Sequence, residues 1–135
     1  MPSVTIALRN VAGTEAAMGW AGAHTLVVDR PPGKAGGLGL GFNGSELLAL
    51  AVGGCLCNDV RYAAHAMGVD LTTIDVRVAL DMDGDPLIAT AVNVRVACAT
   101  ADGSDPRPVI ERAREVTMVG NSLRRGVPVT IAPAS

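Results

Sequence analysis

Asn43–Gly68, NGSELLALAVGGCLCNDVRYAAHAMG, decides how the rest of the chain is read, because an uninterrupted apolar helical pattern here carries two of the three cysteines beside a glycine pair. It opens as a capping box, in which the Asn43 side chain accepts from the third following amide and Glu46 reaches back to the amide of Asn43. Gly68, lacking a Cβ, suits the left-handed residue that ends many helices. A helix over Ser45–Met67 would run ~35 Å, about the width of a small domain. Its apolar residues Leu47, Leu48, Leu50, Ala51, Val52 and Leu56 point around the whole axis, the pattern of a helix buried on all sides. The unbroken apolar run is shorter than the roughly 20 residues of a membrane span, and Asp59 and Arg61 soon follow it. Gly53 and Gly54 each cost about 1 kcal/mol relative to alanine in a helix, so another backbone should approach closely there. Cys55, next to them, would sit in a tight and mostly apolar pocket.

Working outward, the 135 residues are 49% hydrophobic and 18% charged, which predicts one compact domain, 1–135, with a real core. Only Trp20, Phe42 and Tyr62 are aromatic, and the formal charge is −2 with scattered arginines, so neither base-stacking platforms nor a basic phosphate-binding face is expected. Met1–Asn10 lacks the basic start and apolar block of a signal peptide, and three cysteines without framework spacing fit a reducing compartment, so the expected location is cytoplasmic. Cys55 and Cys57 lie ~200° apart on a helix and do not easily bond to each other. His24 and His65 lack ligand spacing to any cysteine pair, so no metal is expected. GGLGLG, after a strand, has the wrong spacing for a dinucleotide loop, so no nucleotide cofactor is expected either.

Upstream, Ser3–Arg9 alternates as a strand, Glu15–Trp20 reads as a second and His24–Asp29 as a third, before a glycine-proline loop that feeds the helix. Downstream, Ile74, Val76, Val78 and Leu80 mark one face of a strand. After the DGDP turn, Leu87–Ala99 returns with Val92, Val94, Val96 and Cys98 facing the core. There Cys98 reads as a small buried hydrophobe. Ser104 or Asp105 caps a second helix with Pro106 at its first position; Val109, Ile110, Ala113 and Val116 form its buried face, with a kink near Gly120 and a stop at Gly126. VPVTI makes a last edge strand. The order β-β-β-α-β-β-α-β, hairpins with helices packed on them, is an α+β domain.

A strand ending in DRP, a glycine-rich loop, ELLALAVGGCLCNDV, two strands and a helix with A-x-x-x-x-x-V-x-N-x-L resemble the OsmC/Ohr family of osmotically induced and organic-hydroperoxide-resistance proteins. The likeness spans almost the whole chain, and its GGC-x-x-x-DV form, Gly53–Val60, is closest to an OsmC-like branch other than Ohr proper. The resemblance implies an intertwined homodimer with thiol sites at the interface, no cofactor beyond an external thiol reductant, a small apolar hydroperoxide as substrate and a role in oxidative-stress defence. Cys55 matches the family's peroxidatic cysteine. Thr117 stands where the resolving cysteine would be, which implies a one-cysteine peroxiredoxin-like enzyme. The first-strand turn NVAGT lacks the arginine of Ohr proteins, and Glu46 lies nine rather than ten positions before Cys55, ~180° around the helix, a place that favours the cap over catalysis. A peroxide is attacked by a thiolate, which burial alone disfavours, so a cation is needed. Arg9 and Arg30 are candidates, as is Arg61 from a partner helix. Asp59 would oppose ionisation if it faced the thiol, and is expected instead to pair with an arginine across the dimer. The competing reading is a non-catalytic dimer that binds a small apolar molecule in the interface cleft, with Cys55 a packing residue. Neither reading involves nucleic acid or a membrane.

Overall fold

The computed structural model describes residues 1–134, and the chain divides into two compact units, Met1–Leu48 and Ala49–Ser135. In the first, β1 (Ala7–Asn10), β2 (Ala17–Ala21) and β3 (His24–Val28) form an antiparallel sheet in that order, with Leu8 opposite Gly19 and Gly19 opposite Leu26. The first strand starts later than Ser3, because the ladder from β2 reaches only as far as Ala7.

The loop after β3 is organised on one carboxylate. Asp29, only 4% exposed, accepts hydrogen bonds from the amides of Arg30 at 2.8 Å and of Leu38 and Leu40 at 3.1 Å each, and from the Arg30 guanidinium at 3.3 Å. The Leu40 amide is the largest influence holding its carboxyl below the usual carboxylate range, against the opposing effect of desolvation. Gly41 is required where the loop returns alongside β3, since a Cβ there would lie 2.0 Å from the Val27 carbonyl oxygen.

The helix α1 (Gly44–Met67) begins with the reciprocal cap: Glu46 N–H donates to Asn43 Oδ1 at 2.9 Å, and Asn43 N–H to Glu46 Oε1 at 3.0 Å. Although it has the length and mean hydropathy of a membrane span, it lays one face on the sheet of the second unit. That sheet is the antiparallel pair β4 (Leu71–Asp83) and β5 (Ile88–Thr100), whose inward positions alternate as the sequence predicts. Two further helices, α2 (Arg107–Val116) and α3 (Met118–Arg125), complete it. Leu56, Val60, Ala63 and Ala64 of α1, Leu71 of β4, and Val109 and Ala113 of α2 make the core, with Ile74, Val94, Val96 and Cys98 packed against it. Val60 and Val109 are fully buried and contribute about 1.5–3 kcal/mol each.

Other local expectations also differ from the structure. Within this chain α1 is not covered on all sides, since Leu50 is 53% exposed and Ala51 and Gly54 also face outward. The second helix breaks at Thr117 rather than near Gly120. Val127–Ile131 forms no strand: its backbone meets no ladder among the described residues, and Val127, Val129 and Ile131 are 58%, 79% and 91% exposed. A strand needs a neighbour for its amides and carbonyls, which alternation in one segment cannot supply. The α+β class and the antiparallel sheets are as the sequence predicts.

Candidate functional site

The glycine pair of α1 has two different surroundings. A Cβ on Gly53 would lie 2.9 Å from Val78 Cγ2 and 3.6 Å from Val76 Cγ1, so this glycine lets α1 settle closely onto β4. Gly54 has nothing within 4 Å of the corresponding position. Cys55, two positions and ~200° round the helix from Gly53, is half-buried and not in a disulfide.

Its sulfur sits between an acceptor and a donor. Cys55 Sγ donates to Asp59 Oδ2 at 3.4 Å, one turn along the same helix, and accepts from Thr117 Oγ1 at 3.6 Å. Within this chain Asp59 thus faces the thiol. Neither hydrogen-bonding partner of the sulfur among the described residues is a cation.

Thr117 reaches this position because it is the joint between two helices. Its amide closes α2 on the Ala113 carbonyl at 3.0 Å, its carbonyl opens α3 by accepting from Asn121 N–H at 3.0 Å, and its backbone, at φ −59 and ψ 114, belongs to neither helix. Threonine is a favoured residue at a helix start, but here the hydroxyl makes no capping bond and turns to the sulfur instead. Gly120, one turn on, leaves room for this: a Cβ there would lie 3.0 Å from Thr117 Cγ2. At 6% exposure, Thr117 is among the few buried polar residues, and its hydroxyl is satisfied by the thiol.

The remaining predicted residues have other local partners. Glu46 is held in the cap of α1. Arg9 lies on β1, exposed and opposite Met18. Arg30 is bound to the Asp29 carboxylate and to the Glu15 carbonyl. Arg61 donates to the Leu71 carbonyl at 3.4 Å. The residue that sequence reasoning assigned to a different partner is Asp59, although its i, i+4 spacing from Cys55 carried the signal. Thr117 was found only through the cysteine it replaces.

The arrangement allows proton transfer at sulfur. A carboxylate positioned on the S–H can take its proton during a reaction while its own charge opposes a standing thiolate, and a hydroxyl aimed at the same sulfur can donate to charge that develops there. Among the described residues no group of three or more His, Cys, Asp and Glu is disposed to hold a metal ion.

Comparison with known proteins follows the same lines. A family model described as OsmC-like protein matches residues 35–132. A search of curated sequences finds no match. Among solved structures, an OsmC-like protein of unknown function from Vibrio cholerae superposes with a TM-score of 0.76 at 11% identity, covering 90% of this chain and 94% of that one. An OsmC-like protein from Mycoplasma pneumoniae gives 0.75 at 13% identity, over 91% and 88%. The organic hydroperoxide resistance protein OhrB of Bacillus subtilis gives 0.58 at 19% identity, over 90% of each chain. With most of its length inside the matched region and its fold shared with these structures, the chain belongs to the OsmC-like protein family.

Proposed function

We propose that this chain is a thiol-dependent hydroperoxide reductase of one-cysteine type, acting in defence against oxidative stress with Cys55 as its peroxidatic residue. The observation that carries the reading is the Asp59–Cys55–Thr117 arrangement, a sulfur held between a carboxylate that accepts its proton and a hydroxyl that donates to it. Family membership and structural likeness to organic hydroperoxide resistance proteins support the reaction class.

Cys55 Sγ attacks the outer peroxide oxygen as Asp59 takes the thiol proton. The O–O bond breaks, the proton goes to the departing alkoxide, and Cys55 is left as a sulfenic acid. Thr117 steadies the charge on sulfur during the attack. With threonine at this position, a small external thiol completes the cycle: it condenses with the sulfenic acid, releasing water, and a second equivalent frees Cys55. Because the Asp59 charge opposes a resting thiolate, the proton leaves sulfur only as the attack proceeds.

The same reading includes a homodimer. The outward side of α1 with Leu50, Ala51 and the open Gly54, and the exposed alternating residues Val127, Val129 and Ile131, are surfaces that a second copy would cover. They also favour the second reading, a non-catalytic dimer whose cleft holds a small apolar ligand while Asp59 merely fixes the Cys55 thiol in place. Turnover separates the two. The purified protein should consume cumene hydroperoxide in the presence of a thiol reductant, and Cys55→Ser should abolish the Cys55-dependent rate; equal rates in mutant and wild type would leave the ligand-binding reading.

A further inference from the structure

The joint that aims Thr117 at the sulfur is closed by a residue with no part in the mechanism so far. Thr117 follows the last residue of α2 and precedes the first of α3. Carbonyls in the last turn of α2 have run out of amides within their own helix. Asn121 supplies one: its Nδ2 donates to the Glu115 carbonyl at 3.0 Å, while its backbone amide donates to the Thr117 carbonyl at 3.0 Å. Asn121 therefore holds the chain on both sides of Val116, α2 through its side chain and α3 through its backbone. Arg124 sets which way the side-chain amide points, because its Nη1 donates to Asn121 Oδ1 at 2.7 Å. Turned over, the amide would set its oxygen against the Glu115 carbonyl and its NH2 group against the guanidinium, and both bonds would be lost.

The Thr117 hydroxyl has a competing place to go. At the start of a helix a threonine oxygen ordinarily accepts from one of the first free amides, yet here it makes no such bond and donates to Cys55 Sγ. Given the reaction proposed for Cys55, we infer that Asn121, oriented by Arg124, is a positioning residue for it: its bond to the Glu115 carbonyl fixes the bend between α2 and α3 at which Thr117 Oγ1 meets the sulfur. The hydrogen bonds of Asn121 go to the joint and to Arg124 and none to Cys55, so it acts through Thr117. Released from this clasp, α3 pivots at Thr117, and the hydroxyl divides between the sulfur and the amides at the start of α3. The residue type matters. Aspartate keeps an acceptor for Arg124 but has no hydrogen for the Glu115 carbonyl, and alanine loses both partners.

The experiment is a double-mutant cycle in the full-length Cys57→Ser/Cys98→Ser protein, where Cys55 is the remaining thiol. Asn121→Ala should slow the consumption of cumene hydroperoxide roughly two- to tenfold, the effect of one neutral hydrogen bond, and Asn121→Asp should fall with it. In the Thr117→Val background, with no hydroxyl to aim, Asn121→Ala should add nothing. A residue that only supports the fold would slow both backgrounds alike. Arg124→Ala, at an exposed position, repeats the cycle with less burden on folding, which circular dichroism checks for every variant. Equal slowing with and without the Thr117 hydroxyl, or no slowing in either background, would overturn the inference. Alkylation of Cys55 by iodoacetamide needs the same proton to leave the same sulfur, and is measured on the same proteins without peroxide. Turnover absent throughout, with alkylation slowed by Asn121→Ala only where Thr117 is present, would sink the peroxidase reading and uphold the clasp. Alkylation unmoved by Asn121→Ala would sink the clasp.

Discussion

Thr117 Oγ1 donates to Cys55 Sγ at 3.6 Å across a separation of 62 positions, which joins the break between α2 and α3 to the middle of α1. Any change in that joint should therefore be felt at the sulfur. Thr117→Val keeps the shape and removes the donor. A hydrogen bond to a charged group contributes ~1.5–3 kcal/mol, so the peroxidase rate should fall roughly ten- to hundredfold with little change in melting temperature. Steady-state kinetics alongside thermal unfolding test this, and an unchanged rate would remove Thr117 from the mechanism.

Thr117→Cys should convert the enzyme to a two-cysteine type. The new sulfur would stand near the Thr117 Oγ1 position, within reach of Cys55, so peroxide treatment of this variant in a Cys57→Ser/Cys98→Ser background should yield a disulfide between Cys55 and the introduced thiol. Mass spectrometry of the non-reduced digest reads the product directly.

Asp59→Asn should separate the base from the site. An amide of the same shape cannot accept the proton, so the variant should be slow at neutral pH and gain more than the wild type as pH rises and solvent hydroxide takes over deprotonation. Stopped-flow rates from pH 6 to about 9 give the comparison. A variant that is faster than wild type across that range would show that the carboxylate restrains the thiol instead of activating it.

The glycine pair should respond asymmetrically to alanine. At Gly53 the added methyl meets Val78, so overpacking of about 1–3 kcal/mol opposes about 1 kcal/mol of helix propensity and the melting temperature should fall. At Gly54 nothing in the same chain opposes the gain. Gly54→Ala should therefore leave a monomer no less stable, and any loss of dimer in sedimentation or light scattering would mark that side of α1 as the packing surface.

Acid should loosen the glycine-rich loop through Asp29. Its folded pKa lies below the ordinary value because backbone amides, Leu40 foremost, donate to the carboxylate. A depressed folded value means the stabilisation is present above the unfolded pKa of about 3.9 and disappears as pH falls through the folded one. Asp102 and Asp105 are lowered in the same direction, each by its own turn contacts. Asp29→Asn should therefore flatten only part of the acid limb in urea midpoints measured against pH.

The elements were legible where a local pattern sufficed. The Asn43–Glu46 cap, the β4–β5 alternation and the length of α1 follow from spacing alone. What the sequence hid depends on partners distant in the chain. Thr117 ends a helix that Gly120 seemed better placed to disturb, and only its position against Cys55 explains where its hydroxyl goes. Gly53 and Gly54 are identical in sequence terms, yet one touches Val78 and the other faces outward. Asp59 was readable in principle, since a residue four positions from Cys55 shares its face, but a charge four residues away can turn to either flank.

Whether Cys55 is a reacting sulfur is tested most directly by trapping its first product. In the Cys57→Ser/Cys98→Ser protein, a dimedone-type probe added with a brief pulse of cumene hydroperoxide should label Cys55 stoichiometrically, and the label should drop sharply in Asp59→Asn at neutral pH. An unlabelled, still-titratable Cys55 in folded protein would contradict the account.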